Sequence, residues 1–428
     1  MPTPVDQHPT PAEPELTPVE RQLVDHVARG EVLDLTGPRP VEGWERRSWE
    51  GRAVSARVIR DLVLGRLAPT PDPHGLRLHG ARVTGRLDLE NVTSAVPVEL
   101  LGCLLDEGVN ARDADLPALV LRECRVGHPS EPPVDAEGLA TRAFALELSE
   151  VRARSPRGAV VLAHARLGRA SLVGASLVNA EGPALAARSL RVDQGCYLLA
   201  LEAVGGELDV AVDLRNARVG EQFCFQPTRL EHSGGPQRRV DVDGLTHAGL
   251  PTGIDPAEWL ALLREATPGY TAQPYRHLAA AHRAAGHDAQ ARRVLVAQRR
   301  DQLARGALGA GERAWARLTG LLLGYGYQPW RALLCLLAVL VVAVALALAL
   351  GDDGLARTGT PPGPCPVVER VAFGLDVGSP LLTTTPRCEP TGATSGQALG
   401  VAGWLLRLLA WGFATLFVAG FTGAVRKT

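Results

Sequence analysis

Three histidines recur at five-residue steps, His277, His282 and His287, and such a cluster raises the question of a metal. The spacing argues against one. On a helix a five-residue step carries the side chain roughly 140° around the axis, so His277 and His282 diverge. Gly286 is expected to end the helix before His287 is reached, and no H-E-x-x-H accompanies the three. They are read as surface histidines. "DVDG" at 241–244 opens like a calcium loop, but its twelfth position is Thr252 rather than a bidentate Glu. "GALGAG" at 306–311 has the glycines of a dinucleotide turn, yet it follows a helical pattern and no βαβ unit surrounds it. Walker A, G-x-S-x-G and paired-carboxylate patterns are missing from the sequence. No catalytic, cofactor-binding or metal-ligating residue is therefore assigned, and no cofactor is expected from the residues.

Cysteine carries one clearer chemistry. The seven cysteines form no C-x-x-C pair. Cys103, Cys124, Cys196 and Cys224 lie in apolar repeats and read as small buried hydrophobes. Cys365 and Cys388 instead flank a Pro- and Thr-rich loop between two apolar segments. If that loop faces an oxidising compartment, the two are expected to form a disulfide.

Both apolar segments are long enough to cross a bilayer. Residues 332–351 run for 20 residues without a charge, which matches a hydrocarbon core of about 30 Å. The second segment, 404–425, is interrupted only by Arg407, whose stem is expected to reach the headgroups. Arg299, Arg300, Arg305, Arg313, Arg317 and Arg331 precede the first span, and Arg426 and Lys427 follow the second. Loop arginines are outnumbered by Asp352, Asp353, Glu369, Asp376 and Glu389, so the positive-inside rule puts both chain ends in the cytoplasm. "GYG" at 324–326 has the letters of a potassium-channel filter, but it stands before the first span rather than between two. Tyr325, Tyr327, Trp330 and Arg331 read instead as an interfacial belt, with Arg426 and Lys427 as its counterpart. Within the loop, Val367, Val371 and Leu375 recur at helical spacing, which suggests a short amphipathic helix resting on the bilayer.

What stands before these spans is a repeat. Leu76, Leu87, Val98, Val109 and Val120 recur every 11 residues, and Leu78, Leu89, Leu100 and Ala111 keep the same step until Arg122. Ala81, Val92, Cys103 and Ala114 occupy small positions between them. Two steps give a 22-residue unit, the period of a β-solenoid in which each short strand stacks on the next coil. A leucine-rich repeat lacks its L-x-x-L-x-L-x-x-N pattern here, and a β-sandwich would not keep the step. The expected plan is a disordered tail over 1–16, a helical cap over 17–74 and the solenoid over 75–226. A linker over 227–254 and a helical connector over 255–328 lead to spans at 329–351 and 397–425, with the loop 352–396 between them. Seven coils at the strand spacing would be roughly 33 Å long. In the connector, Asp255 and Pro256 mark a helix start, and Gly286 separates two members of a helical hairpin.

The segments "SARVIRDLVLG", "HGLRLHGARVTGRLDLENV", "YRHLAAAHRAAGHDAQARRVL", "GYGYQPWRA" and "LFVAGFTGAVRK" together resemble a family of membrane proteins from high-GC Gram-positive bacteria. Its members are pentapeptide-repeat-like β-helices with a C-terminal pair of spans, often labelled "membrane-associated oxidoreductase". The resemblance implies a right-handed, mainly β solenoid with helical caps, a helical hairpin and two transmembrane helices in a bacterial plasma membrane. It also brings an oxidoreductase activity as one expectation. The residues themselves favour a membrane-anchored scaffold that binds a protein on its solenoid. The alternative is a channel or transport component built as a homo-oligomer through the transmembrane helices. The net charge of −1 gives no field for nucleic acid.

Overall fold

The computed structural model describes residues 16–37, 49–306, 309, 311–312, 330–358, 363–379 and 387–426, with side chains as far as residue 418. Nearly all of the expected tail, the GYG stretch with Tyr325 and Tyr327, Lys427 and the Arg426 side chain lie outside the described residues. The chain divides into two compact units, 1–294 and 295–428.

In the first unit, residues 53–247 form a parallel β-solenoid of about eight turns. Each turn has four short sides. In an early coil these are Leu76–His79, Arg82–Thr84 and Leu87–Asp88, then Thr93, which bridges to Asp115 of the next coil. The first side stacks Leu76, Val98, Leu119, Phe144, Ala170, Cys196 and Phe223 in one inward column. The second side stacks Val54, Val83, Leu105, Val126, Val151, Leu177 and Ala203, and these seven are fully buried. Alternate residues point in and out because side chains alternate along a strand, so the core is a narrow stack of Leu, Val, Ala and Cys with Phe144, Phe223 and Phe225 as its largest members.

The coil is not of constant length. Register pairs separate by 22 residues between Leu76 and Val98 and by 21 to Leu119, then by 25 to Phe144, 26 to Ala170, 26 to Cys196 and 27 to Phe223. The corner between the second and third sides grows from 85–86 in the early coil to 128–133 and 154–159 later. Another corner demands a left-handed backbone in every coil. Asn91, Asp113, His164, Ser189 and Asn216 take it with Gly138 and Gly244 in the same column, positions where Gly and Asx residues are cheapest. There the amide of Asn91 donates to the Arg112 carbonyl at 2.9 Å, and that of Asn216 to Asp243 at 2.8 Å.

Both ends are covered. Helix α1 (Pro18–Arg29) starts in a capping box between Thr17 and Glu20. The same Glu20 carboxylate accepts the Ser55 amide at 2.9 Å, closing a donor on the first coil. Helix α2 (Ala56–Val63) packs its buried face beneath it, with Ile59 and Leu62 fully buried. The solenoid is longer than the expected 75–226 at both ends. Ala53–Ser55 pairs with Arg82–Thr84, and the stretch expected as a linker holds Arg229–His232, Val240–Asp241 and Thr246–His247, a further coil. Helices α3 (Pro256–Glu265), α4 (Gln273–Ala284) and α5 (Asp288–Arg305) follow, with Asp255 as N-cap of α3 and Gly286 left-handed after α4.

The second unit holds two helices apolar and long enough to cross a membrane, α6 (Trp330–Gly354) and α8 (Thr394–Arg426). Between them lies α7 (Val367–Gly378). It packs along α6 rather than standing apart on a bilayer surface. A methyl group at Gly374 would meet the Val344 Cα at 2.6 Å, and one at Gly378 would meet the Leu340 Cα at 2.9 Å. A short antiparallel ladder, Leu355–Arg357 with Cys388–Pro390, joins the ends of α6 and α8.

Because each coil leans on its neighbours, a core truncation is felt along the stack. Leu100→Ala is expected to cost about 2–5 kcal/mol, read from denaturant unfolding of the full chain. A loss below about 1 kcal/mol would mean that the column is not close-packed.

Candidate functional site

The third side of the solenoid repeats a five-letter phrase: a buried Leu or Val, then Asp or Asn, then a buried residue, then a charged one. It reads "LDLEN" at 87, "VNARD" at 109, "VDAEG" at 134, "VDLRN" at 212 and "VDVDG" at 240. The acid or amide turns outward and accepts the amide two residues on, as Asp213 does from Arg215 at 3.0 Å and Asp241 from Asp243 at 3.0 Å. That short turn is the favoured local bond of Asx side chains. "DVDG" is thus a corner of the last coil.

Stacking these corners builds a charge ladder. Arg157 bonds Asp135 at 2.6 Å and Glu137 at 2.6 Å. Arg215 reaches Asp213 at 2.6 Å and Asp209 at 2.7 Å, and Arg188 joins Asp213 at 3.1 Å. Burial would raise the Asp213 carboxyl, but its bonds to Arg215 and the charge of Arg188 outweigh this and hold it below the usual carboxylate range. Burial likewise opposes the charge on Arg157, and Asp135 more than restores it, raising that guanidinium.

A cleft of about 370 Å³ opens where the corner lengthens. The loops at 130–132 and 155–157 overhang a floor of Arg86, Glu90, Asn110 and Arg112. Asn110 donates to Asp88 at 3.0 Å and Glu90 at 3.1 Å, and Arg86 pairs with Glu131. Arg112 has a looser contact, 3.7 Å from Glu137. The Nε atoms of Arg86 and Arg112 are buried without a hydrogen-bond partner. The lining carries charges of both signs in a fixed arrangement, suited to recognising a polar surface.

The three histidines are not all at the surface. His277 and His282 do diverge around α4, but only His287 is a surface residue. His282 is buried, and burial followed by the nearby His287 lowers its pKa. Half-buried His277 is part of the end cover: its Nε2 lies 3.0 Å from both the amide and the carbonyl of His247. Beside it Gln273 accepts the Gly244 amide at 3.1 Å and donates to the Leu245 carbonyl at 2.9 Å. Phe223, Phe225 and Trp259 pack behind His247 with ring centroids 5.4–6.1 Å apart. Helical spacing separates two side chains but does not say which direction leads into the core.

Cys103, Cys124, Cys196 and Cys224 are all buried. The Cys124 thiol donates to the Leu100 carbonyl at 3.3 Å, and burial pushes it well up; burial pushes Cys196 up to about 12. Such thiols are poor nucleophiles. Cys365 and Cys388 are joined in a disulfide with Cα atoms 6.0 Å apart, packed with Leu355 and Leu399. Glu369 lies 3.5 Å from the Cys388 sulfur. The three side chains bring ligand-type atoms within 4.8 Å of one another, but a closed disulfide offers no thiolate to a metal. Of the interfacial residues, exposed Trp330 has the Arg331 guanidinium 6.0 Å from its ring centroid. Arg407 lies well inside α8 and bonds Asp376 of α7 at 2.6 Å.

Comparisons with family models, curated proteins and solved structures return no match. The chain is a β-solenoid followed by helices, two of them long and apolar.

Two outcomes follow. Burial, then the neighbouring His277, depresses the His247 pKa from 6.5 to about 4. The unfolded chain therefore binds the extra proton first as pH falls. Stability supplied by neutral His247 is full above pH 6.5, declines between 6.5 and about 4, and is flat below. The loss should be about 3 kcal/mol, and His247→Gln should flatten that limb of the unfolding midpoint against pH. Replacing Cys365 and Cys388 together by Ser should cost about 2–4 kcal/mol in unfolding of the helical unit. Non-reducing peptide mapping that recovers both thiols free would remove the basis for that loss.

Proposed function

We propose that this chain is a membrane-anchored scaffold. In this reading α6 and α8 cross a bacterial plasma membrane with both chain ends cytoplasmic, and the solenoid offers its third side to a protein partner. The supporting observation is the set of ion pairs along the third side, in the cleft and beyond it: Arg157 is held by Asp135 at the cleft, and Arg188 and Arg215 by Asp209 and Asp213 further along, before anything binds. Charges fixed in advance lose little freedom on association, and mixed signs select a partner by complementarity. The orientation rests on the arginines before α6 and on Arg426 and Lys427 after α8.

A second reading, a channel or transport component, draws on a different observation. Helix α7 turns back along α6 from Gly351 as far as Leu340, and non-spanning helices that re-enter the bilayer are tolerated where they are buried in protein or line water. Among the described residues an oxidoreductase activity gains no supporting geometry.

Photo-cross-linking from the cleft of the full-length protein in its own membranes tests the scaffold. A discrete adduct is expected with the wild type, weakened about tenfold or more by Arg112→Glu, with the unfolding midpoint unchanged. An adduct pattern indifferent to that charge reversal would sink the reading. Ion flux in proteoliposomes carrying the full chain decides the second: silence removes it.

A further inference from the structure

Arg407 stands where a bilayer has no means to solvate it. Taking α6 as a ruler, Arg331 and Asp352 bracket its uncharged stretch. Near the Asp352 end, Arg370 of α7 pairs with Asp352 at 2.5 Å and donates to the Cys365 carbonyl at 2.8 Å. From there α7 descends until Gly378 lies against Leu340. Leu340 is about 14 Å along α6 from Arg331 and about 18 Å from Asp352 at the helical rise. Asp376 and its partner Arg407 therefore sit near mid-depth if α6 and α8 are spans, the reading on which this inference rests. The packing of α8 agrees: a methyl group at Gly354 would meet Leu399 at 2.7 Å, which puts Arg407 two turns further in.

The pair is satisfied on one side only. The Asp376 side chain is 15% exposed, but that of Arg407 is 54% exposed. Its neighbours on α8 explain this. Ala410 is fully buried and Gly403 lies against Val377, whereas Trp404 and Trp411 are 81% and 53% exposed. Arg407 occupies the seam between the packed face and the apolar outer face. In water this would be an ordinary surface ion pair. In a bilayer, a half-exposed guanidinium at mid-depth faces either lipid, which cannot pair with it, or protein. It is too deep for its stem to carry the charge to a headgroup.

We propose that a second copy of this chain covers the seam, with the Asp376–Arg407 pairs of the two copies facing each other. The pair is self-complementary: a twofold axis beside it sets each guanidinium near the other copy's carboxylate without adding net charge. Such isologous contacts are the commonest way for chains to associate. The four charges then satisfy one another within the membrane, between the bulky walls of Trp404 and Trp411.

The test uses the full chain in native membranes, carrying Cys335→Ser with either Trp404→Cys or Trp411→Cys, under mild oxidation. A product of twice the chain mass is expected from at least one of the two. A Val342→Cys control on the outer face of α6 should give far less. Arg407→Asp and Asp376→Arg should each reduce the product about tenfold, and combining them should restore it. The restored double variant separates a lost contact from a failure to fold. No doubled product, an adduct of another mass, or equal yield from Val342→Cys would overturn the proposal. Release of the wild-type chain by alkaline carbonate would overturn the membrane reading itself, and a chain that stays embedded without cross-linking would overturn only the pairing.

Discussion

The whole first unit hangs on one ladder: the peptide groups of each coil must meet those of the next in register. In a solenoid the backbone of each coil pairs only with that of its neighbours. Two demands follow. The corners must bring the chain round to the same place each time, and the left-handed column from Asn91 to Gly244 does this. The terminal coils must find partners for a row of exposed peptide groups. Glu20 at one end, and Gln273 with His277 at the other, supply side-chain atoms where the next coil would have supplied a backbone. The cap helices are therefore part of the ladder, and their polar residues are conditions for its ending cleanly.

The sequence was readable where the coil length is steady. The 11-residue columns locate true core positions from Leu76 to Val109, but the second coil measures 21 residues rather than 22, so Leu119 takes the inward place and Val120 points outward beside Glu99. Beyond them the inward residues continue, but the step stretches to between 25 and 27, and a fixed period loses them. The Asx phrase of the third side returns at Asp135, Asp213 and Asp241 in spite of the stretching, but Val161 and Ala186 take its place in the two coils between. Its terminal members, two-residue strands such as Val240–Asp241, are too short for any alternation to show. The cleft was illegible for another reason. Its floor and overhang come from Arg86, Arg112, Glu131 and Arg157, placed together only by the stacking of successive coils.

The second unit shows the same division between pattern and packing. Apolar run length located α6 and α8, and the spacing of Val367, Val371 and Leu375 located α7. Its resting place was set by Gly374 and Gly378, whose missing side chains let two backbones approach. An amphipathic pattern says that one face is covered, and leaves open whether lipid or another helix covers it. Arg407 stands well inside α8 for a related reason: the helix starts at Thr394, ten residues before the segment boundary read at Trp404.

Length change in this solenoid is concentrated at one edge, the corner that runs from Gly85–Arg86 through 128–133 to 206–211. The left-handed corner from Asn91 to Gly244 keeps its turn while this one accepts extra residues. A lineage carrying such a fold has a place to try insertions without disturbing the columns beneath, so the rim of the cleft can diverge while the stack is inherited unchanged. The same edge is where foreign loops could be grafted by design, with the coil count setting how many stand side by side.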